Sequence, residues 1–266
     1  MNSEKTDSLW KALASGSFLI MVAVNGLANA LPINGIQTGQ VSDAYPNLFA
    51  PAGVTFAIWG VIYLLLALYT LYQYGVLREQ GSKEAEVRED RVRRLFAISS
   101  AANTAWIFAW HYRMIALSLG LIVSILICLI LVNLELSGHL LSGRQRFFLR
   151  LPFSIYFGWI TVAAIANATT LLVDLQWRGF GLPEEAWTVI ILLTGMLIGL
   201  VTMLRNRNGA YGLVLIWAYS GILLKHISVT GFSGQYTAVI YTALFCILFY
   251  IAGEVWLLRK FRKEAW

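Results

Sequence analysis

The chain has 266 residues, of which 58% are hydrophobic and 13% charged, against roughly 45–50% and 25% in an ordinary soluble domain. That apolar excess excludes a disordered chain and a water-soluble globule; two cysteines exclude a disulfide scaffold, and a net charge of +6 without a concentrated basic segment excludes a nucleic-acid-binding domain. An all-α polytopic membrane protein remains.

A bilayer core takes about 20 apolar residues per helix. Eight stretches meet or approach that length: residues 10–31, 51–76, 95–112, 114–136, 148–173, 187–204, 210–230 and 235–258. A polar patch from His111 to Arg113 separates the third from the fourth. The basic residues test this assignment, because Lys and Arg collect in short cytoplasmic loops. With an internal N terminus, 17 of the 20 Lys and Arg fall on the cytoplasmic side, from Lys5 and Lys11 through Arg78, Lys83 and Arg88 to Arg259, Lys260, Arg262 and Lys263. Arg113 and Arg178 fall outside, and Lys225 lies within the seventh span. Both termini are then cytoplasmic, and the strong bias fits a bacterial cytoplasmic membrane.

The first span follows Lys5 and Lys11 and ends in Ala28-Asn29-Ala30, a string that a signal peptidase accepts. Its apolar run is long enough to cross a bilayer, so a retained helix is the favoured reading. The segment from Arg78 to Arg94 interleaves acid and base and reads as a solvated cytoplasmic helix laced by i,i+4 pairs, with partner docking as the alternative. Cys128 and Cys246 sit mid-span, where a thiol behaves as a small hydrophobe. Gly195 and Gly199 form a GxxxG pair that admits a second helix closely and marks a candidate homodimer face.

Tryptophan is expected at membrane interfaces, which accounts for Trp10, Trp177, Trp187, Trp256 and Trp266 at span ends. Trp59, Trp106, Trp159 and Trp217 lie deeper, and each indole N–H needs an acceptor away from water. Amides accompany them at helical spacing. Asn103, Trp106 and Trp110 share one face of the third span, Trp159, Ala163 and Asn167 share one face of the fifth, and Trp59 and Tyr63 are one turn apart in the second. Polar groups in hydrocarbon are costly unless paired, so these faces point into the bundle, either as interhelical glue or as the lining of a cavity.

These strings resemble the translocator-protein (TspO, tryptophan-rich sensory protein) family. PAGVTFAIWGVIY, from Pro51 to Tyr63, is similar to its second-helix signature; ANTAWIFAW, from Ala102 to Trp110, to the third; and YFGWITVAAIAN, from Tyr156 to Asn167, to the fifth. Gly53 stands where the family usually has Trp, Ile155 where it has Pro, and the first loop is longer than usual. The resemblance implies a five-helix membrane domain over residues 10–174 and a further three-helix segment over 187–258. It also implies a pocket beneath the first loop that takes a flat hydrophobic molecule such as a tetrapyrrole (porphyrin or haem) or a sterol. By position, its expected lining is Trp59, Tyr63, Asn103, Trp106, Trp159, Ala163 and Asn167.

Arg113, Lys225 and His226 fall near the outer ends of their spans and are candidates to hold the anionic edge of such a ligand; snorkelling is the bland reading of Lys225. Retinal binding through Lys225 is disfavoured, because Glu135 and Glu254 sit near cytoplasmic ends and Asp43 and Asp174 in outer loops, leaving no counter-ion at depth. No phosphate loop, nucleophile elbow or zinc motif is present, so neither catalytic nor metal residues are assigned and no cofactor is required. Two functions compete: a TspO-type ligand-binding sensor or regulator, and a small-molecule transporter or permease subunit. The expected partners are the lipid bilayer, a hydrophobic small molecule and a second copy, and not nucleic acid.

Overall fold

A computed structural model describes residues 2–31, 33–75 and 82–261, with the side chains of residues 2–6 and 29 left out. The side chain of Lys5, and Arg78, Arg262 and Lys263, therefore lie outside the described residues. Every regular element among the described residues is helical: α1 (Asn2–Ala30), α2 (Thr38–Asp43), α3 (Ile58–Gln73), α4 (Lys83–His111), α5 (Ile115–Leu136), α6 (Gly143–Gln145), α7 (Leu151–Asp174), α8 (Glu184–Arg205), α9 (Gly209–Ile227) and α10 (Thr237–Phe261). Seven are long and apolar enough to cross a membrane, and the protein is an integral membrane protein. The third of the eight expected spans is the C-terminal part of α4. Ser99, Ser100, Asn103 and His111, all buried, make it less apolar than the others.

Local chemistry sets the helix ends. Ser82 caps α4, its Oγ accepting from the Ala85 N–H, and Glu84 and Glu86 complement the positive end of the helix dipole. Asn208 caps α9 in the same way through the Tyr211 N–H. Pro152 has no N–H for the carbonyl four residues back, and the chain widens there into a π turn over Arg146–Arg150 before α7 proceeds. The patch between the third and fourth spans is a tight reversal in which Arg113 takes a positive φ of 56°.

The chain folds as two compact units, residues 1–38 with 60–157, and residues 39–59 with 158–266. The core of the first is aromatic. Phe96 of α4 meets Phe18 of α1 at 5.7 Å, Tyr69 of α3 at 5.2 Å and Phe153 of α7 at 5.7 Å between ring centroids, and all four rings are buried. Edge-to-face geometry in this cluster adds to its area burial. At the end of this unit where α4 begins, buried Arg93 pairs with Asp7 and Asp90 and donates to the side-chain Oε1 of Gln73. Arg91 pairs with Glu135, and Arg94 pairs with Asp90 and lies over the Trp10 ring.

In the second unit α8, α9 and α10 pack through small residues. A Cβ on Gly195 would lie 2.6 Å from the Tyr219 hydroxyl, and one on Gly199 would lie 2.5 Å from Leu215 Cδ1 and 2.6 Å from the Tyr250 hydroxyl. Tyr219 donates to the Leu192 carbonyl at 2.9 Å and Tyr250 to the Gly195 carbonyl at 3.2 Å. The GxxxG pair thus serves close approach, as its spacing suggests, but tyrosines of the same chain fill the gap it leaves.

Candidate functional site

The expected ligand residues divide between the two units. In the first unit, Asn103 is fully buried and satisfied: its carbonyl oxygen accepts from Asn25 Nδ2 at 2.9 Å, and its own Nδ2 donates to the Tyr156 hydroxyl at 3.1 Å. Asn25 donates in addition to the Met21 carbonyl. This chain of bonds ties α1, α4 and α7 in the manner of interhelical glue. Trp106 is buried and stacks on Trp110 with centroids 5.8 Å apart, while Tyr63 of α3 is half-buried.

In the second unit, Trp59 and Trp159 meet edge to face at 6.2 Å, and Phe56 meets Trp159 edge to face at 5.7 Å. Trp159 is 2% exposed, and its indole N–H has no acceptor among the described residues. Asn167 is buried and Ala163 half-buried on the same helix. Trp217 donates to the Thr55 carbonyl at 2.9 Å, the acceptor that a deep indole requires.

The long first loop is held at several points. Within the first unit, Trp110 Nε1 donates to the Thr38 carbonyl at 3.1 Å, Asn34 Nδ2 donates to the His111 carbonyl, and His111 sits between the Ile107 carbonyl and the Thr38 hydroxyl. Within the second unit, α9 does the anchoring. The Ala52 N–H donates to the Gly221 carbonyl at 3.0 Å, and His226 Nε2 donates to the Leu48 carbonyl at 2.8 Å. Lys225 pairs with Asp43 at 3.5 Å and lies over the Phe232 ring. Two of the three expected anion-holding residues therefore secure the loop, and Arg113, in the first unit, is exposed.

A cavity of about 440 Å³ opens in the second unit between loop residues 46–49, the end of α7 and the start of α8. Its walls include Phe49, Leu172, Trp177 and Trp187, with Asn47, Thr169, Gln176, Thr188 and the charged Arg178 and Glu184 as polar groups. Trp187 is fixed by donating to the Gly179 carbonyl at 2.6 Å, and its ring centroid lies 4.9 Å from that of Trp177. Gly179, at a φ of 60°, could not carry a Cβ, which would fall 2.6 Å from the same indole nitrogen. None of the seven expected residues lines this cavity. Its two tryptophans read from sequence as interface anchors; the signal that could have raised them is the glycine-rich turn WRGFGLP between them.

Glu254 is a residue whose burial the sequence did not reveal. Because α10 runs on to Phe261, Glu254 stands two turns inside its helix, 5% exposed, and neither carboxyl oxygen has a hydrogen-bond partner among the described residues. The carboxyl occupies the space that a Cβ on Gly212 would need.

Comparison with curated proteins found no match, and comparison with solved structures found none. A family described as TSPO-like protein matches residues 11–256, a stretch that carries all three motif strings and continues through α8 and α9 into α10. With the motif tryptophans and amides on the helices that their spacing required, and with that match over nearly the whole length, the chain belongs to the TSPO-like protein family.

Proposed function

We propose that the protein binds a flat, mostly apolar molecule of the tetrapyrrole or sterol type, as a membrane sensor or regulator. The observation that carries this reading is the aromatic-walled cavity beneath loop residues 46–49. Its 440 Å³ falls within the roughly 300–1,000 Å³ typical of small-molecule sites, and aromatic walls with a few polar groups suit a planar ligand. Trp159, with its unpartnered N–H beside Trp59 and Phe56 in the same unit, lies outside the lining of this cavity. Ala163 and Asn167 belong to this second unit, and Tyr63, Asn103 and Trp106 to the first. An anionic ligand edge at Lys225 would have to compete with Asp43.

Titration of the detergent-solubilised protein with protoporphyrin or haem tests the reading, followed by both tryptophan quenching and the ligand's own absorbance. Saturable binding is expected. It should weaken by roughly tenfold in Trp187→Leu, through lost stacking area, and stay unchanged in Trp159→Phe, whose indole lies outside the cavity lining. No saturable change with either ligand or with a sterol overturns it.

One observation favours the transporter as a second reading: an ionisable residue buried inside a membrane helix marks a pathway by default, and Glu254 is such a residue. Uptake into proteoliposomes that Glu254→Gln abolishes would support it; uptake equal to that of empty liposomes would dismiss it.

A further inference from the structure

Two acidic side chains are buried among the described residues, in opposite environments. Glu89, in the first unit, is 7% exposed and accepts from the Tyr72 hydroxyl at 3.4 Å and from Gln145 Nε2 at 3.5 Å. Glu254, in the second, is 5% exposed, and neither of its oxygens has a partner among the described residues. Its surroundings are apolar. The carboxyl rests on Gly212 of α9 beside the Met203 thioether of α8, so that a Cβ on Gly212 would overlap both Glu254 Oε1 and Met203 Sδ. A Cβ on neighbouring Gly253 would overlap Met203 Cε and lie 3.3 Å from Leu200 Cδ2.

The titratable groups on the helices around Glu254 are engaged elsewhere or exposed. On α9, Tyr211 donates to the Thr161 hydroxyl at 3.3 Å; on α10, Tyr250 donates to the Gly195 carbonyl, Lys260 lies over the Trp256 ring and Arg259 is exposed. Arg205 of α8 is exposed, and Arg207, in the turn that follows, lies over the Phe261 ring. Arg262 and Lys263 lie outside the described residues.

The chemistry decides what such a carboxyl holds. An unpaired carboxylate in an apolar interior is far more costly than the neutral acid, so the group takes up a proton. A metal ion needs several further oxygen or nitrogen ligands, and no group of three His, Cys, Asp or Glu that could supply them occurs among the described residues. Neither of the two cavities described is lined by Glu254, and its carboxyl already fills the space over Gly212. A proton needs no room, and Met203 Sδ is a weak acceptor for the resulting O–H.

We propose that Glu254 is a proton-binding site of the C-terminal three-helix segment, neutral while α10 is seated on α8 and α9 and ionised only when that seat opens. Proton release and the loosening of α10 are then one event. The proposal deepens the transport reading by naming the species that Glu254 carries, and the two fail separately: absent uptake dismisses transport and leaves the protonation of Glu254 as it is.

The test is infrared spectroscopy of the full-length protein in a maltoside detergent, which has no carbonyl of its own. At neutral pH exposed carboxyls are ionised, so a neutral-acid carbonyl band reports a buried one. The band is expected in the unmodified protein, lost in Glu254→Gln and in Glu254→Met, and kept in Glu89→Gln and in the Arg262→Gln, Lys263→Gln double variant. Raising the pH should abolish the band and, over the same range, raise deuterium uptake along α10 by more than in Glu254→Gln, which shares the intrinsic pH dependence of exchange. The proposal is overturned if the unmodified protein shows no such band at neutral pH, if Glu89→Gln removes it, or if the double variant alone displays it. It is equally overturned if α10 takes up deuterium identically in the unmodified protein and Glu254→Gln while the band disappears.

Discussion

The contact between α9 and the first loop offers a direct test of how the second unit is built. Gly221 donates nothing but space and a carbonyl. That carbonyl accepts from the Ala52 N–H at 3.0 Å, and a Cβ placed on Gly221 would meet the Thr55 hydroxyl in overlap, with Thr55 Cγ2 at 2.6 Å and Thr55 Cβ at 2.8 Å. Rotating the threonine cannot relieve the clash, because its own Cβ is already too close. Gly221→Ala must therefore push the Gly53–Ala57 turn away from α9. Displacement strains both the Ala52 bond and the bond from Trp217 Nε1 to the Thr55 carbonyl at 2.9 Å. Overpacking costs about 1–3 kcal/mol and each of the two lost hydrogen bonds about 1 kcal/mol, so roughly 3–5 kcal/mol is expected in all. For a chain of this size that corresponds to an apparent unfolding midpoint lower by about 5–10 °C.

Tryptophan fluorescence during thermal unfolding in detergent measures the shift, and at fixed temperature the emission of Trp217 should move as its N–H loses its acceptor. Thr55→Gly removes every atom in the overlap, so the double variant should recover most of the loss, a positive coupling between sites far apart in sequence. If Gly221→Ala unfolds at the temperature of the unmodified protein, the loop is not seated on α9 as described and the reasoning fails.

Three further outcomes follow from the same kind of geometry. Asn103→Leu should cost about 2–3 kcal/mol, because it removes one of the bonds made by the Asn25 amide and the donor to the Tyr156 hydroxyl, whereas Asn25→Leu with Asn103→Leu should cost less than the sum of the two; thermal melts of the three variants decide this. Gly199→Ala, whose Cβ would strike Leu215 and Tyr250, should lower the apparent midpoint without changing the molecular mass of the detergent complex by light scattering; a change of mass alone would mean that the pair faces a second copy instead. Glu254→Met, which replaces a buried carboxyl that has no partner among the described residues, should leave stability unchanged or raise it by about 1 kcal/mol or more in the same melts, and a marked loss would reveal a partner for the carboxyl.

Helix content and membrane character are legible in the sequence because the length of an apolar run is a local property. The end of α4 and the start of α5 fall where the polar patch at His111 to Arg113 predicts. Motif residues were legible as types that cannot face lipid, but their partners were not. Asn103 stands out in its string, whereas Asn25, which completes its hydrogen bonding, lies in α1 outside every quoted motif. The Gly195 and Gly199 pair shows that something approaches closely, yet only the packed unit shows that Tyr219 and Tyr250 do so. Trp177 and Trp187 were indistinguishable from interface anchors, since what makes them cavity walls is the turn that folds one against the other. Glu254 is legible as a residue near the end of its span, but its burial depends on the helices packed around it, Gly212 among them.

The three C-terminal helices bear on the motif strings themselves and are not a passive extension. Trp59 and Trp159 share a unit with α8, α9 and α10. The preceding Gly158 lies so close to α9 that a Cβ there would be 2.9 Å from both the Tyr211 carbonyl and Val214 Cβ. The 3₁₀ turn carrying Phe56, the other neighbour of Trp159, is fixed by Gly221 and by Trp217, whose bond to Thr55 spans 162 residues of sequence. Each of these supports comes from α9. The aromatic corner is therefore held by a helix that a five-helix bundle does not possess, and its Trp, Phe and Ala positions answer to packing constraints absent from such a bundle. The packing of this corner should accordingly respond to substitutions in α9, Val214 and Gly221 first, at residues that no translocator-like motif contains.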